Sequence, residues 1–174
     1  MIVLINGTYG VGKSTVAKRI QAQIPNVQII ESDYFYYQMI EKNPFLAFGG
    51  TTPQNNMNFL TRFKNEVFNQ LNNTDKIIII VMAITQDECK KEILEPLVEK
   101  CAEFYHFILT ASKDTILSRI ESQSGRDVFI AKGFLDENIH YLNTNFDSSI
   151  RIDTNNKDVS TIANEIIEAI GQLN

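Results

Sequence analysis

The sequence has no excess of basic residues and almost no cysteine, and both shortages exclude classes of function. Lysine and arginine number 16 against 21 acidic residues, which gives a net charge of −5. A nucleic-acid partner is therefore not expected, because phosphate neutralisation requires a basic surface. The two cysteines, Cys89 and Cys101, form no CxxC motif and have no histidine at metal-ligand spacing. We expect two free, buried thiols in a reducing cytosol.

The sequence also lacks long hydrophobic runs and a recognisable targeting segment. The longest apolar run, Ile77 to Ile84, is far too short to span a bilayer as a helix. Met1 leads directly into the apolar segment IVLI, without a basic n-region or a small-residue cleavage site. We expect a cytoplasmic protein with no transmembrane segment, and both a monomer and a homodimer remain open.

No internal repeat, low-complexity tract or Pro/Gly-rich linker interrupts the chain, so a single domain over 1–174 is expected. Apolar runs alternate with helical patterns, and near-continuous Ile and Val runs are typical of parallel strands covered on both faces. The pattern predicts an α/β fold, a three-layer αβα sandwich whose five-stranded parallel sheet binds ligands at the carboxyl ends of its strands. Strands are expected at 1–5, 27–30, 76–84, 104–109 and 149–153, and helices at 13–24, at 88–100, at 113–121 with Ser112 as N-cap, and after 153 with Asp158 as N-cap.

A glycine-rich phosphate loop follows the first apolar run. The segment GTYGVGKS, residues 7–14, satisfies the pattern GxxxxGK[ST] with a strand before it and a helix after it. Glycines let the backbone wrap around phosphate oxygens, and the amide groups supply positive potential. Lys13 would reach the β- and γ-phosphates of ATP, and Ser14 would ligate Mg²⁺. ATP and Mg²⁺ are the expected cofactors, and the cofactor-binding residues are Gly7, Thr8, Tyr9, Gly10, Val11, Gly12, Lys13, Ser14 and Thr15.

Missing motifs narrow the class of phosphate-loop protein. No glycine has an aspartate three residues upstream, and Asn156-Lys157-Asp158 lacks the spacer of NKxD, so the GTPase motifs are absent. The run 77–81 continues into apolar residues with no acid before Asp87, unlike the strand that ends in an acid in motor ATPases. A small-molecule kinase is therefore favoured, with ATP as the nucleotide and a bound acceptor that takes the γ-phosphoryl group.

Three segments carry a resemblance to a known family. INGTYGVGKS, IIIIVMAITQDECKKEI and the stretch from HFILTASKDTILSRI to IDTNNKDVSTIANEI resemble the tunicamycin-resistance protein family. That group consists of bacterial P-loop ATP-binding proteins close to nucleotide, shikimate and antibiotic kinases. The resemblance covers most of the chain and is weakest between Tyr34 and Asn58. It implies an ATP-dependent resistance or kinase-like function and the strand order 2-3-1-4-5. The apolar strand end at 81 fits the family, whereas Glu121 and Gln123 replace its arginine-richer pattern.

Two acids follow the second predicted strand. Glu31 and Asp33 are two residues apart and would point to the same side of an extended segment. One of them would take the proton of an acceptor hydroxyl or hold a Mg²⁺-bound water. We prefer Asp33 as the catalytic and metal-binding residue, because related kinases place an aspartate here, and both acids are candidates for substrate binding. The alternative is that Asp33 or Ser32 only caps a helix that begins at Tyr34.

Two arginines are candidates for stabilising the transferring phosphoryl group. Arg119 has no acid three or four residues away, which weakens the alternative of a surface ion pair. Related kinases keep an arginine at this place, so Arg119 is interpreted as both catalytic and cofactor-binding. Residues 122–132 are interpreted as a lid, in which Arg126 would contact phosphate or would be an exposed loop residue. Lys132 matches a family lysine, but a surface pair with Asp136 competes.

The region 34–74 is expected to bind the acceptor. Phe45 and Phe48 would line a mobile apolar pocket, although such aromatics are more often part of a core. Arg62 matches a family arginine that would hold an anionic acceptor, and a solvated pair with Glu66 is the alternative. Asn155 follows the fifth strand, where related kinases read the adenine edge.

The sequence is thus interpreted as a kinase-like ATP-binding protein that phosphorylates a small-molecule acceptor, such as an antibiotic in a tunicamycin-resistance-like function. Two alternatives remain open. One is a nucleoside or nucleotide kinase, and the other is a non-catalytic protein that sequesters a drug with ATP bound.

Overall fold

A computed structural model of the protein describes residues 1–50, 52–122 and 128–172. Parallel strands and helices alternate along this part of the chain. The strands are β1 (Ile2–Gly7), β2 (Val27–Glu31), β3 (Ile77–Val81), β4 (Phe104–Thr110) and β5 (Ile150–Asp153). The helices are α1 (Lys13–Gln23), α2 (Ser32–Lys42), α3 (Met57–Asn72), α4 (Asp87–Cys89), α5 (Glu95–Lys100), α6 (Lys113–Glu121), α7 (Val128–Gly133), α8 (Leu135–Thr144) and α9 (Val159–Gln172), with 3-10 turns at Pro44–Gly49 and Pro53–Asn55 and a π-helical turn at Lys90–Leu94.

The five strands form one parallel sheet in the order β2-β3-β1-β4-β5. The predicted parallel sheet and the strand order implied by the family resemblance are both confirmed. In the register, Glu31 pairs with Val81 and Gly7 pairs with Leu109. The carboxyl ends of neighbouring strands therefore meet at one edge of the sheet, where parallel α/β folds bind their ligands.

Two apolar clusters cover the two faces of the sheet. Alternate residues of the central strand β1 point to opposite faces, with Ile2 and Leu4 in one cluster and Val3 and Ile5 in the other. The first cluster includes buried side chains of α3, of which Phe59, Leu60 and Phe63 are 1% exposed or less. The second cluster joins α1 and α9 to the sheet. This arrangement is the expected three-layer αβα sandwich.

Local sequence signals predicted several element boundaries correctly. Helix α6 begins and ends as expected, and the Ser112 side chain accepts a hydrogen bond from the Thr115 N–H as its N-cap. Asp158 Oδ1 accepts from the N–H groups of Ser160 and Thr161, at 2.8 and 3.1 Å, at the start of α9. The third strand is shorter than predicted and ends at Val81 rather than at residue 84. Beyond Val81, the N–H groups of Ile84 and Thr85 bond to side chains rather than to a neighbouring strand.

The helix expected at 88–100 contains a π-helical turn between α4 and α5. Glu95 N–H donates to the carbonyl of Lys90, five residues back, instead of four. The next residue, Pro96, has no N–H to donate, and its ring would clash with the carbonyl four residues earlier, that of Glu92. The wider turn avoids this clash, since a π-bulge moves that carbonyl away from the helix axis.

Both cysteines are free thiols, as predicted, but they differ in burial. Cys89 is fully buried, and desolvation by burial raises the pKa of its thiol. Cys101 is only half-buried, so the expectation that both are buried is wrong for this residue. Among the helices of the described ranges, no stretch is both long and apolar enough to cross a bilayer.

Truncation of Phe63 should test the importance of the α3 face of the core. Phe63 has no exposed surface, and Phe63→Ala should lower the free energy of unfolding by about 3–5 kcal/mol. Urea or guanidinium denaturation measures this change. Phe45→Ala is the matched control, because Phe45 is 79% exposed and its loss should alter stability by about 0.5 kcal/mol or less. Equal effects of the two substitutions would contradict this packing.

Candidate active site

The phosphate loop runs from the end of β1 to the start of α1 through three glycines with positive φ. Gly7, Gly10 and Gly12 have φ values of 146°, 80° and 105°. A Cβ atom on Gly7 would lie 2.8 Å from the carbonyl oxygen of Leu109, and one on Gly10 would lie 2.6 Å from Cγ1 of Ile120. Other residues would be strained at these backbone angles, and at the first two positions they would also collide with β4 and α6.

The interior of the loop has the donors that an anion requires. Helix α1 begins at Lys13, and its N-cap residue Gly12 provides no side-chain cap to the first amide groups. The Lys13 ammonium donates to the carbonyls of Gly7 and Thr8, at 2.9 Å each, so its positive charge lies against the loop. The Thr8 hydroxyl is buried and has no hydrogen-bond partner within the described residues. These features fit a nucleotide phosphate.

The end of β2 brings two carboxylates to the same cleft as the phosphate loop. Lys13, Ser14, Glu31, Asp33 and Val81 all line this cleft. The Ser14 hydroxyl donates to Glu31 Oε2 at 3.2 Å. Asp33 is exposed in the first turn of α2 and lies 3.4 Å from the hydroxyl of its neighbour in the chain. A hydroxyl and two carboxylates are hard oxygen ligands of the kind that Mg²⁺ prefers, so the residues fit this ion.

The path of the chain around these acids differs from the expectation. Helix α2 begins at Ser32, and the residue in its N-cap position is Glu31. Glu31 and Asp33 therefore do not lie in one extended segment, although both reach the cleft. The alternative that Ser32 or Asp33 caps a helix beginning at Tyr34 is also wrong, because both residues lie inside the helix.

Arg119 connects the phosphate loop to the end of β5. Its guanidinium donates to the carbonyl of Val11 at 3.2 Å and to the hydroxyl and carbonyl of Thr154, both at 2.9 Å. Thr154 is fully buried, and its hydroxyl donates to the carbonyl of Thr110 at 3.0 Å. The arginine is thus held in a defined position beside the loop, where its fixed charge is available to a bound anion.

Asn155 links the turn after β4 to the end of β5, at the same edge of the sheet. Its Oδ1 accepts from the Ser112 N–H at 3.0 Å, and its Nδ2 donates to Asp153 Oδ1 at 2.7 Å. The structure therefore places Asn155 next to the residue that Arg119 binds, at the carboxyl ends of β4 and β5.

The expected lid is only partly within the described ranges. Arg126 belongs to 123–127, which lie outside the described residues. The Lys132 ammonium pairs with Glu121, and Asp136 pairs instead with Lys113 at 2.7 Å. The surface pair between Lys132 and Asp136, which was the alternative to a family role for Lys132, is therefore replaced by two other pairs.

Three residues of the expected acceptor region do not line the cleft around Lys13. Phe45 and Phe48 are 79% and 83% exposed, and their ring centroids lie 6.5 Å apart on the 3-10 turn after α2. Arg62 is exposed on α3, and no ion pair with Glu66 forms in the described part of the chain. Glu66 accepts a hydrogen bond from the Gln70 amide instead. These aromatic and basic side chains are therefore accessible to a ligand in solvent.

The geometry of the loop and its surroundings agrees with a family match. A model of the AAA domain family matches residues 3–140. The chain belongs to this family. No curated protein matches this chain.

Solved structures share the fold of this AAA domain protein over nearly its whole length. The tunicamycin resistance protein of Deinococcus radiodurans has 21% identity and a TM-score of 0.76, with 98% of this chain and 95% of that chain covered. The shikimate kinase of Bacteroides thetaiotaomicron has 11% identity and a TM-score of 0.68, with 98% of each covered. The APS kinase of Mycobacterium tuberculosis, in complex with AMPPNP and APS, has 18% identity, a TM-score of 0.64 and coverages of 98% and 96%. The resemblance to the tunicamycin-resistance proteins is confirmed at the level of the fold.

Sequence reasoning missed a buried polar group behind the phosphate loop of this AAA domain protein. Asn6 is fully buried, and its Nδ2 lies 3.2 Å from Nε2 of His106, whose Nδ1 lies 2.8 Å from the Ser149 hydroxyl. Burial lowers the pKa of His106 to about 4, and the nearby charge of Arg151 acts in the same direction. An asparagine between apolar residues and the first loop glycine was the available signal.

The lowered pKa of His106 predicts a loss of stability in acid. The native pKa of about 4 lies below the ordinary value near 6.5, so the unfolded chain binds the proton first as the pH falls. The contribution of His106 is complete above about pH 6.5, decreases as the pH falls to about 4, and amounts to at most about 3 kcal/mol. Denaturation at several pH values should show a steeper decline for the wild type than for His106→Gln. His140→Gln, at an exposed site on α8, is the control and should retain the wild-type slope. Parallel curves for the wild type and His106→Gln would contradict the assignment.

Proposed function

We propose that the protein is a P-loop kinase that transfers the γ-phosphoryl group of MgATP to a hydroxyl group of a small-molecule acceptor. The convergence of Lys13, Ser14, Glu31 and Asp33 on one cleft supports this function most directly. The kinase-like solved structures support the same class of protein through their fold. The proposed acceptor is an antibiotic, because the chain shares the fold of a protein named for tunicamycin resistance.

The phosphate loop binds and orients the nucleotide. Lys13, which now donates to two loop carbonyls, turns to the β- and γ-phosphates, and the amides at the start of α1 bind phosphate oxygens. Ser14 and Asp33 would hold Mg²⁺, which would neutralise part of the charge on the phosphates of the nucleotide. Glu31 orients the Ser14 hydroxyl through the contact that already exists between them.

Asp33 acts on the acceptor. Its exposed carboxylate takes the proton of the acceptor hydroxyl as the new oxygen–phosphorus bond forms. The bond between the γ-phosphorus and the β–γ bridging oxygen breaks, and its electron pair leaves with ADP. Arg119, held against Val11 and Thr154, stabilises the negative charge on the nucleotide, and Arg126 assists it from the lid. Phe45 and Phe48 contact apolar parts of the acceptor.

Two alternatives have their own supporting observations. Arg62, exposed and without a partner acid at Glu66, suits a nucleoside or nucleotide kinase that binds an anionic acceptor. The apolar Val81 in the cleft, where other phosphate-loop proteins have an acid, suits a protein that binds ATP and sequesters a drug without turnover.

Mass spectrometry of small molecules incubated with the protein and MgATP should identify the acceptor. The mixture should contain tunicamycin, nucleosides, nucleotides and aminoglycosides, and one compound should gain a single phosphate. Lys13→Ala should slow this reaction about 10²–10³-fold, because one electrostatic donor to the phosphates is lost. Asp33→Asn should slow it about 10²–10⁴-fold, because the proton acceptor is lost.

The matched controls are Lys76→Ala and Asp147→Asn. Both residues are exposed and precede β3 and β5, at the amino ends of the strands and away from the cleft. Both variants should retain wild-type rates. If no compound gained phosphate while one bound tightly only in the presence of ATP, the kinase mechanism would be replaced by sequestration.

Kinetics of Arg62→Ala should separate the acceptor classes once the acceptor is known. A nucleotide acceptor requires a cation for its phosphate, so kcat/KM should fall about 10-fold or more, mainly through a higher KM. A neutral acceptor should leave KM within about twofold of the wild-type value. Arg19→Ala, which removes an exposed arginine of α1, is the control and should change neither parameter.

A further inference from the structure

A buried asparagine lies between two parts of the proposed active site. The nucleotide side is the phosphate loop, and the acceptor side is the region 34–74 that is expected to bind the acceptor. Asn6 belongs to β1, the central strand of the sheet, and has no exposed surface. Its Oδ1 accepts the N–H of Gly7 at 2.7 Å and the N–H of Ile84 at 2.8 Å. A single oxygen atom thus joins the first residue of the phosphate loop to the segment that follows β3.

The orientation of the Asn6 amide is determined by its surroundings. Because Oδ1 faces two N–H donors, Nδ2 must face His106 and donate to its Nε2 at 3.2 Å. The neutral ring then carries its proton on Nδ1, which donates to the Ser149 hydroxyl at 2.8 Å. A rotated amide would place its NH₂ group against two N–H donors, so one orientation is strongly preferred.

The segment after β3 continues this connection to the acceptor side. Thr85, which follows Ile84, donates its N–H and its hydroxyl to Gln54 Oε1, both at 2.8 Å. The Thr52 hydroxyl donates to Gln86 Oε1 at 3.2 Å. Residues 52–54 lie between the exposed aromatic turn and α3, and three hydrogen bonds between two pairs of residues join them to the segment that Asn6 binds.

In the proposed function, nucleotide binding also acts on Gly7. Its carbonyl accepts from the Lys13 ammonium, and this hydrogen bond is given up when Lys13 turns to the phosphates, as the proposed function requires. The N–H of the same residue stays bound to Asn6. A shift of Gly7 is therefore transmitted to an oxygen that also holds Ile84.

We propose that Asn6 is a positioning residue that couples nucleotide binding at the phosphate loop to the ordering of residues 52–54 on the acceptor side. The inference rests on the proposed function, in which the loop binds a nucleotide and the region 34–74 binds the acceptor. Asn6 contacts neither the nucleotide nor the acceptor in this role, and it acts through backbone N–H groups on both sides.

Hydrogen exchange measured by mass spectrometry, with and without the non-hydrolysable analogue AMP-PNP and Mg²⁺, tests this coupling. In the wild type, the analogue should slow amide exchange in the phosphate loop and, by about fivefold or more, in peptides covering 52–56 and 82–86. In Asn6→Ala, protection of the loop should persist while both remote peptides lose their response.

Gln54→Met keeps the test decisive even if Asn6→Ala does not fold. Gln54 is half-buried and lies outside the phosphate loop, so this variant should bind AMP-PNP within about twofold of the wild type. Protection should be retained at 82–86 and clearly reduced at 52–56, because the two hydrogen bonds from Thr85 are lost and only the one between Thr52 and Gln86 remains. Gln28→Met is the control, since Gln28 lies near the amino end of β2 and bonds to Gln70 near the C-terminal end of α3, and it should preserve both responses.

Asn6→Asp tests the orientation of the amide and whether an acceptor oxygen at this position is sufficient for the coupling. The carboxylate keeps an acceptor for the two N–H groups but offers His106 an oxygen in place of the NH₂ group, so the ring must present Nε2–H. Nitrogen NMR should show the Nδ1–H tautomer in the wild type and an Nε2-protonated ring in Asn6→Asp, with the remote protection retained.

The possible failures are distinguishable. If the wild type did not bind AMP-PNP, the proposed kinase function would fail first. If it bound the analogue but residues 52–56 showed no protection, or kept their full protection in Gln54→Met, the coupling would be refuted while the proposed function stood.

Discussion

The close packing of α6 against the phosphate loop is the constraint on which the candidate site depends. A side chain on Gly10 would meet Ile120 at 2.6 Å, so the loop and the helix touch without any intervening atoms. This contact places the preceding residue, Arg119, within hydrogen-bonding distance of Val11 and Thr154. The positive charge beside the loop is therefore positioned by a steric fit between a glycine and an isoleucine. Buried contacts of this kind position a charge more accurately than a long exposed side chain can position itself.

The parallel sheet divides the site into two sides. The ends of β4 and β5 supply residues around Arg119, whereas the end of β2 supplies Glu31 and the first turn of α2 supplies Asp33. Val81, at the end of β3, adds no charge, so the two acids that line the cleft come from the end of β2 and the start of α2. Glu31 already bonds to Ser14, while Asp33 is exposed. This difference agrees with the proposed roles, in which Glu31 orients the Ser14 hydroxyl and Asp33 stays accessible to Mg²⁺ and to the acceptor.

Much of the fold could be predicted because its signals are local. Runs of Ile and Val predicted buried parallel strands, and side chains such as Ser112 and Asp158 predicted helix starts, since each cap bonds to amides two or three residues away. Predictions failed where a distant group decided the outcome. The strand expected to run to residue 84 ends at Val81, and the Ile84 N–H bonds to a side chain 78 residues away.

The sequence by itself determined the phosphate loop, because the conformation needs only glycines, a lysine and a serine at fixed spacing within eight residues. It also determined the layers of the fold, since alternation of apolar runs and helical patterns is a property of the chain. Only the tertiary structure decided the partners of Arg119, the position of Asn6 between the two sides, and the exposure of Phe45 and Phe48. These depend on groups that are far apart in the chain and meet only when the sheet and helices pack. Residue spacing carries no information about such distances until the fold has formed.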